Sequence, residues 1–95
     1  PKLHEAIYIA CLFVENSLIS DDDINLLVYA LEDLETETAY TNWNQEHEES
    51  HNLPSIRKHC ILLAKALIDH GFNHTQCQRW LEIMKDDPLP EVRYE

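Results

Sequence analysis

Two groups of side chains in this sequence have the types and spacing for metal chemistry. The first is His47-Glu48-Glu49-Ser50-His51, an H-E-x-x-H pattern. On a helix it sets two imidazoles on one face, one turn apart, where they could hold zinc while the Glu acts as general base. Its surroundings oppose that use. Sites of this kind sit on a buried helix with apolar residues around the ligands; here Asn44, Gln45 and Glu46 precede the motif, Glu and Ser fill it, and Pro54 limits any helix just beyond it. No third ligand stands out, with Asp69 and His59 only loosely placed.

The second group is His70, His74 and Cys77, with Cys60 one helix earlier. Together they could close a tetrahedral structural zinc site, but the paired Cys-x-x-Cys knuckles that mark such sites are missing. A helix C-terminus accounts for His70, and a core stripe accounts for Cys77. No Gly-rich phosphate loop, G-x-S-x-G elbow or Cys-His pair in a recognisable context is present. The expectation is a chain that is not an enzyme, with no catalytic residues, no resident metal and no cofactor. Zinc binding or hydrolysis through His47-Glu48-x-x-His51 is the minor alternative.

A third pattern is built for binding. From Leu3 to Ile56 the chain has twelve acidic residues and no Lys or Arg, whereas from Arg57 to Glu95 it has six of each sign. The net charge is −11, from 18 Asp and Glu against 7 Lys and Arg. A surface so lacking in cations repels itself and is relieved by a cationic partner. It excludes direct nucleic-acid binding by phosphate neutralisation, and it disfavours anionic membranes. Within the acidic half, Tyr40 and Trp43 stand among Glu32, Asp33, Glu35, Glu37, Glu46, Glu48 and Glu49. Rigid aromatics in an acidic ring have the composition of a hot spot facing a basic protein, although the same aromatics could instead cover the edge of the core.

The elements that must position these residues are helical. The chain has one Gly, no alternating strand pattern bounded by turn dipeptides and no low-complexity linker. The periodicity predicts an all-α, acidic, single-domain bundle of four main helices, over about 3–18, 21–48, 54–70 and 74–87, with a kink near 35–41 in the second and a tail over 88–95. The first helix is apolar over most of its circumference, which predicts a central position. His4, Tyr8 and Glu15 form its narrow polar stripe.

Ser20 is set to cap the second helix, with Asp23 as the acid of a capping box and Asp21 and Asp22 at the positive dipole end. That chemistry explains the Asp run without calcium, whose loop Gly and spaced ligands are missing. Ile24, Leu27, Leu31 and Leu34 give the second helix its buried stripe. In the third, Ile56, Cys60, Leu63, Ala64 and Leu67 face the core, Arg57, Lys58 and Lys65 face water, and Gly71 supplies the stop. Asn73 or Thr75 caps the fourth helix, whose stripe is Cys77, Trp80, Leu81 and Met84. One further turn can start at Pro90.

The three cysteines are an odd number, widely spaced and within apolar patterns, which suits buried thiols in a reducing compartment. The longest apolar run, Ala6 to Val14, is too short to span a bilayer, and no cleavable leader pattern follows Lys2. Pro1 is what trimming of a starting Met would leave. A cytoplasmic location is the expectation.

Laying Ala10–Glu35 on Ala64–Leu89 matches helix to helix, and the Asp87-Pro-x-Pro-Glu-Val-Arg93 ending resembles the junctions of HEAT-type repeats. That resemblance implies two HEAT-like helix pairs and a helical-repeat adaptor or the terminal domain of a larger scaffold. In size, charge and helical class the chain is also similar to nuclease bacteriocin immunity proteins, with no shared motif. The leading expectation is a small acidic inhibitor, an immunity protein, antitoxin or anti-defence protein that blocks the basic site of a nuclease or toxin. Its partner-binding residues would be Glu32, Asp33, Glu35, Glu37, Tyr40, Trp43, Glu46, Glu48 and Glu49.

Overall fold

A computed structural model describes residues 3–39, 53–87 and 90–93, with side chains given for these except Pro90 and Glu91. The protein is all-α. Four main helices, α1 (Leu3–Glu15), α2 (Asp21–Glu37), α3 (Leu53–Asp69) and α4 (Thr75–Asp86), are followed by a single turn, α5 (Pro90–Arg93).

The helix ends follow from local chemistry. Ser20 is the N-cap of α2: its hydroxyl accepts from the Asp23 amide at 3.3 Å and donates to Asp23 Oδ2 at 3.0 Å. The carboxylate therefore answers the cap's hydroxyl, where a full capping box would have it accept the cap's amide. Gly71, at φ +92°, ends α3. The amide of Phe72 donates to Leu67 O at 2.8 Å and that of Gly71 to Ile68 O at 3.0 Å, which is a Schellman stop. Ser17 makes the same stop after α1 at φ 55°, with Leu18 N bonded to Phe13 O at 2.9 Å. This is why α1 closes at Glu15 and leaves Leu18 exposed outside the helix.

Burial makes α3, rather than α1, the central helix. Leu53, Ile56, Cys60, Ile61, Leu63, Ala64, Ala66 and Leu67 are all buried, covering most of its circumference. Fully burying a Leu or Ile stabilises by about 1.5–3 kcal/mol, so this helix carries the largest share of the core. In α1 only Ile7, Cys11 and Val14 are buried. Among the described helices it packs against α3 alone to any extent, covering one face. The covered side includes part of the expected polar stripe. The His4 and His59 rings lie 5.7 Å apart, and Tyr8 meets His59 edge-on at 5.9 Å. His59 Nδ1 donates to Ser55 O at 2.6 Å, whereas His4 Nδ1 is buried with no hydrogen-bond partner.

The helices stack α1 on α3 and α2 on α4, with α3 against α4. These are the pairings that the repeat alignment of Ala10–Glu35 on Ala64–Leu89 implies. The repeat pattern is incomplete, because α1 and α2 scarcely touch and form no hairpin to match α3 and α4. Trp80, fully buried, ties α4 to α2 by donating from Nε1 to Leu31 O at 2.9 Å. Val92 of α5 fills the core from the far end.

Arg57 corrects a second expectation: it is buried, not facing water. Its Nε donates to Asp87 Oδ2 at 2.7 Å, Nη1 donates to Thr38 O at 2.9 Å, and the guanidinium lies 5.4 Å from the Trp80 ring centre. Thr38 and Asp87 are buried with it. The cluster joins the end of α2, the first turns of α3 and the end of α4. A planar fork with five donors and a face that stacks on indole suits this place, which Lys could not fill.

Candidate functional site

The residues with functional potential converge on α2. It carries seven acidic residues, Asp21, Asp22, Asp23, Glu32, Asp33, Glu35 and Glu37, and no Lys or Arg. Ile24, Val28 and Leu31 hold it to the body of the protein, and Leu27 and Leu34 are half-buried beside them. On the opposite side Asp22, Leu26, Tyr29 and Asp33 follow one another at spacings of four, three and four, which aligns them as a single outward ridge. Leu26 is 64% and Tyr29 66% exposed. A Leu and a Tyr are thus held in water between carboxylates.

The two ends of α2 differ in what their charges do for the fold. At the N-terminus, Asp21, Asp22 and Asp23 face the positive end of the helix dipole and are stabilising there. At the C-terminus, where no basic residue occupies the last turn, Glu32, Asp33 and Glu37 are exposed and make no ion pair among the described residues. Glu37 sits in that last turn, at the negative end, and Asp33 is a like charge four residues before it. Asp33 and Glu37 thus oppose the helix that presents them.

Glu35 is employed internally. Gln76 Nε2 donates to its Oε1 at 2.9 Å and Arg79 Nε to its Oε2 at 3.1 Å, fastening α2 to α4. Of the expected partner-binding residues, the structure therefore places Glu32, Asp33 and Glu37 on the open surface and Glu35 in an intramolecular pair. Tyr40, Trp43, Glu46, Glu48 and Glu49 lie outside the described residues, as do His47 and His51.

Leu26 and Tyr29 are not among the residues that the charge pattern of the sequence singles out. Their signal was positional: on a helical wheel they fall opposite Ile24 and Leu31, so burying the stripe forces them outward.

The second metal candidate is not assembled. Among the described residues no three His, Cys, Asp or Glu side chains come together as metal ligands. His74, rather than Asn73 or Thr75, is the N-cap of α4, its Nδ1 accepting from the Gln76 amide at 3.0 Å. An imidazole acceptor replaces the usual hydroxyl or carboxylate, so the capping preference pointed to its neighbours. His70 is exposed just past α3, while Cys60 and Cys77 are buried in the core. Burial pushes the Cys60 thiol up to about 12 and, with Glu15 adding to it, the Cys11 thiol up to about 11. Burial also raises Cys77. None of the three has the depressed pKa of a reactive or metal-binding thiol.

Two shallow hollows flank these elements. One, of about 200 Å³, is lined by Arg57, Arg79, Glu82, Ile83, Asp86 and Asp87, and includes the Arg57–Asp87 pair. The other, of about 230 Å³, lies between α2 and the turn before α4 and is lined by Ile24, Asn25, Val28, Phe72, Asn73 and His74. No helix among the described residues is long and apolar enough to cross a membrane. Comparison with protein-family models, curated proteins and solved structures returns no match.

Proposed function

We propose that this chain is a protein-binding inhibitor that uses the outer face of α2 to cover the basic, nucleic-acid-binding site of a nuclease or similar protein, as an immunity protein, antitoxin or anti-defence protein would. The observation that supports this reading best is the C-terminal half of α2. Glu32, Asp33 and Glu37 are exposed beside the exposed Tyr29, and two of them weaken the fold, Glu37 at the negative end of the helix dipole and Asp33 as a like charge one turn before it. Carboxylates kept where they cost stability fit a use in binding. Steering would come from the anionic face, which raises encounter rates with a cationic cleft. Holding would come from Tyr29 and Leu26, with their apolar surface driven out of water on docking.

The test uses the tagged full chain and its Glu32→Lys/Asp33→Lys/Glu37→Lys variant as paired baits, with Glu35 left intact. The expected result is a basic nucleic-acid-binding protein retained by the first bait only. Once purified, that protein should lose its nucleic-acid binding or cleavage on addition of the chain. Equal retention by both baits overturns the assignment of the surface. Binding that leaves the partner's activity intact overturns inhibition and favours the second reading, a helical-repeat adaptor. That reading draws on the stacking of α1 on α3 and of α2 on α4.

A further inference from the structure

We propose that the outer face of α1 is a homodimer interface, two copies pairing antiparallel, α1 on α1, about a two-fold axis near Ile9. Opposite the buried Ile7, Cys11 and Val14, the solvent side of this helix is Ala6, Ile9, Leu12 and Phe13, with Glu5 among them, and it is bordered by the half-exposed Tyr8, whose ring edge also meets His59. Tyr8 and Ile9 are each 50% exposed, Phe13 48%, Leu12 38% and the neighbouring Leu3 37%. For side chains of roughly 150–250 Å² each, this is an apolar patch on the order of 450 Å², the size of the largest patch on a typical monomer, which is often functional.

The area indicates what kind of contact this is. Two such patches would bury about 900–1,000 Å² in all, below the roughly 1,200 Å² of a stable specific interface, so the dimer is weak and concentration-dependent. The charge pattern chooses the occupant. The arc carries one carboxylate, Glu5, against seven on α2, too few to draw a cationic partner, so its complement is another apolar helix, and the chain's own α1 is one.

It also chooses the orientation. Parallel pairing sets Glu5 against Glu5 and Glu15 against Glu15. Antiparallel pairing about Ile9 sets Glu5 near Phe13 and Ala6 near Leu12, separates the like charges and opposes the helix dipoles. The surface is independent of the acidic face of α2, and its salt response has the opposite sign. Two copies of net charge −11 repel at long range, so screening strengthens the dimer, whereas it weakens docking of a cation on α2.

Sedimentation equilibrium of the full chain tests this at about 1–500 μM and at about 0.05 M and 0.5 M salt. A monomer–dimer equilibrium that shifts toward dimer at the higher salt is expected, with Ile9→Glu weakening association at least about tenfold. Ile9→Cys should cross-link copy to copy through a disulfide on mild oxidation, and Leu3→Cys should not. A monomer throughout, a dimer untouched by Ile9→Glu, or cross-linking through Leu3→Cys in place of Ile9→Cys would overturn the proposal. None of these results bears on the α2 surface.

Discussion

Glu37→Lys separates a surface kept for binding from one kept for folding. Glu37 is exposed in the last turn of α2, four residues from Asp33. A charge in the last turn is worth about 0.3–1 kcal/mol at low ionic strength, and reversing it exchanges a penalty for a gain of similar size. The like-charge pair with Asp33 becomes attractive, for about another 0.2–0.5 kcal/mol on each side of zero. The substitution should therefore raise stability by roughly 1–2 kcal/mol, or several degrees in the melting midpoint for a domain of this size.

Two residues earlier the sign reverses. Glu35→Lys removes the carboxylate from Arg79 at 3.1 Å and from Gln76 at 2.9 Å, and sets one cation against another. Arg79 is 60% exposed and Glu35 only 27%, so the ion pair is partly screened, and after the last-turn gain that this position shares with Glu37 the net loss is below about 1 kcal/mol. Urea denaturation followed by far-ultraviolet circular dichroism would measure both in low salt, and the Glu37→Lys gain should shrink in about 1 M salt. A neutral or destabilising Glu37→Lys would refute the reasoning, since it would show that the fold already uses that carboxylate.

The remaining predictions concern the buried polar groups. Arg57→Met should cost about 3–5 kcal/mol, because it takes the guanidinium from a fully buried Asp87 carboxylate and from Thr38 O, and Asp87→Leu added to it should recover part of that loss. A cost under about 1 kcal/mol in chemical denaturation would show that the cluster does not hold the end of α2. The raised thiols predict alkaline sensitivity. With Cys60 near 12 and Cys11 near 11 in the folded state, against an ordinary thiol value of 9.0, the unfolded chain releases these protons first. Their stabilisation is complete below about pH 9 and falls by roughly 1 kcal/mol per thiol per pH unit above it. A denaturation midpoint that stays level from pH 8 to about pH 10.5, or rapid thiol labelling of the native protein at pH 8, would contradict this.

What the sequence reveals here is mostly what local chemistry decides. The period of α3, the Gly71 stop and the Ser20 cap can be read directly, because a few neighbouring residues determine each. The position of a helix in the bundle cannot be read this way. The apolar circumference of α1 resembles that of a central helix, yet α1 is covered on one side only, since burial depends on which faces the other helices offer. Arg57 looks like a solvated cation until Asp87, thirty residues away, closes on it.

The candidate site divides in the same manner. The excess of charge on α2 is visible as composition, but its division into a Glu35 paired to α4 and a Glu32, Asp33 and Glu37 with no ion pair among the described residues depends on α4 bringing Gln76 and Arg79 alongside. Leu26 and Tyr29 read as core candidates in any hydropathy profile. Only the choice of buried stripe turns them outward.

The proposed role of the exposed face of α2 is to bind a basic protein. Its most direct test is the affinity of the retained partner for the chain, measured by titration calorimetry across a salt series and repeated with Glu37→Lys and Tyr29→Ala. Affinity should fall steeply with salt and drop at least about tenfold with either substitution, the first of them in a protein more stable than the original. Affinity unchanged by salt and by both substitutions would contradict it.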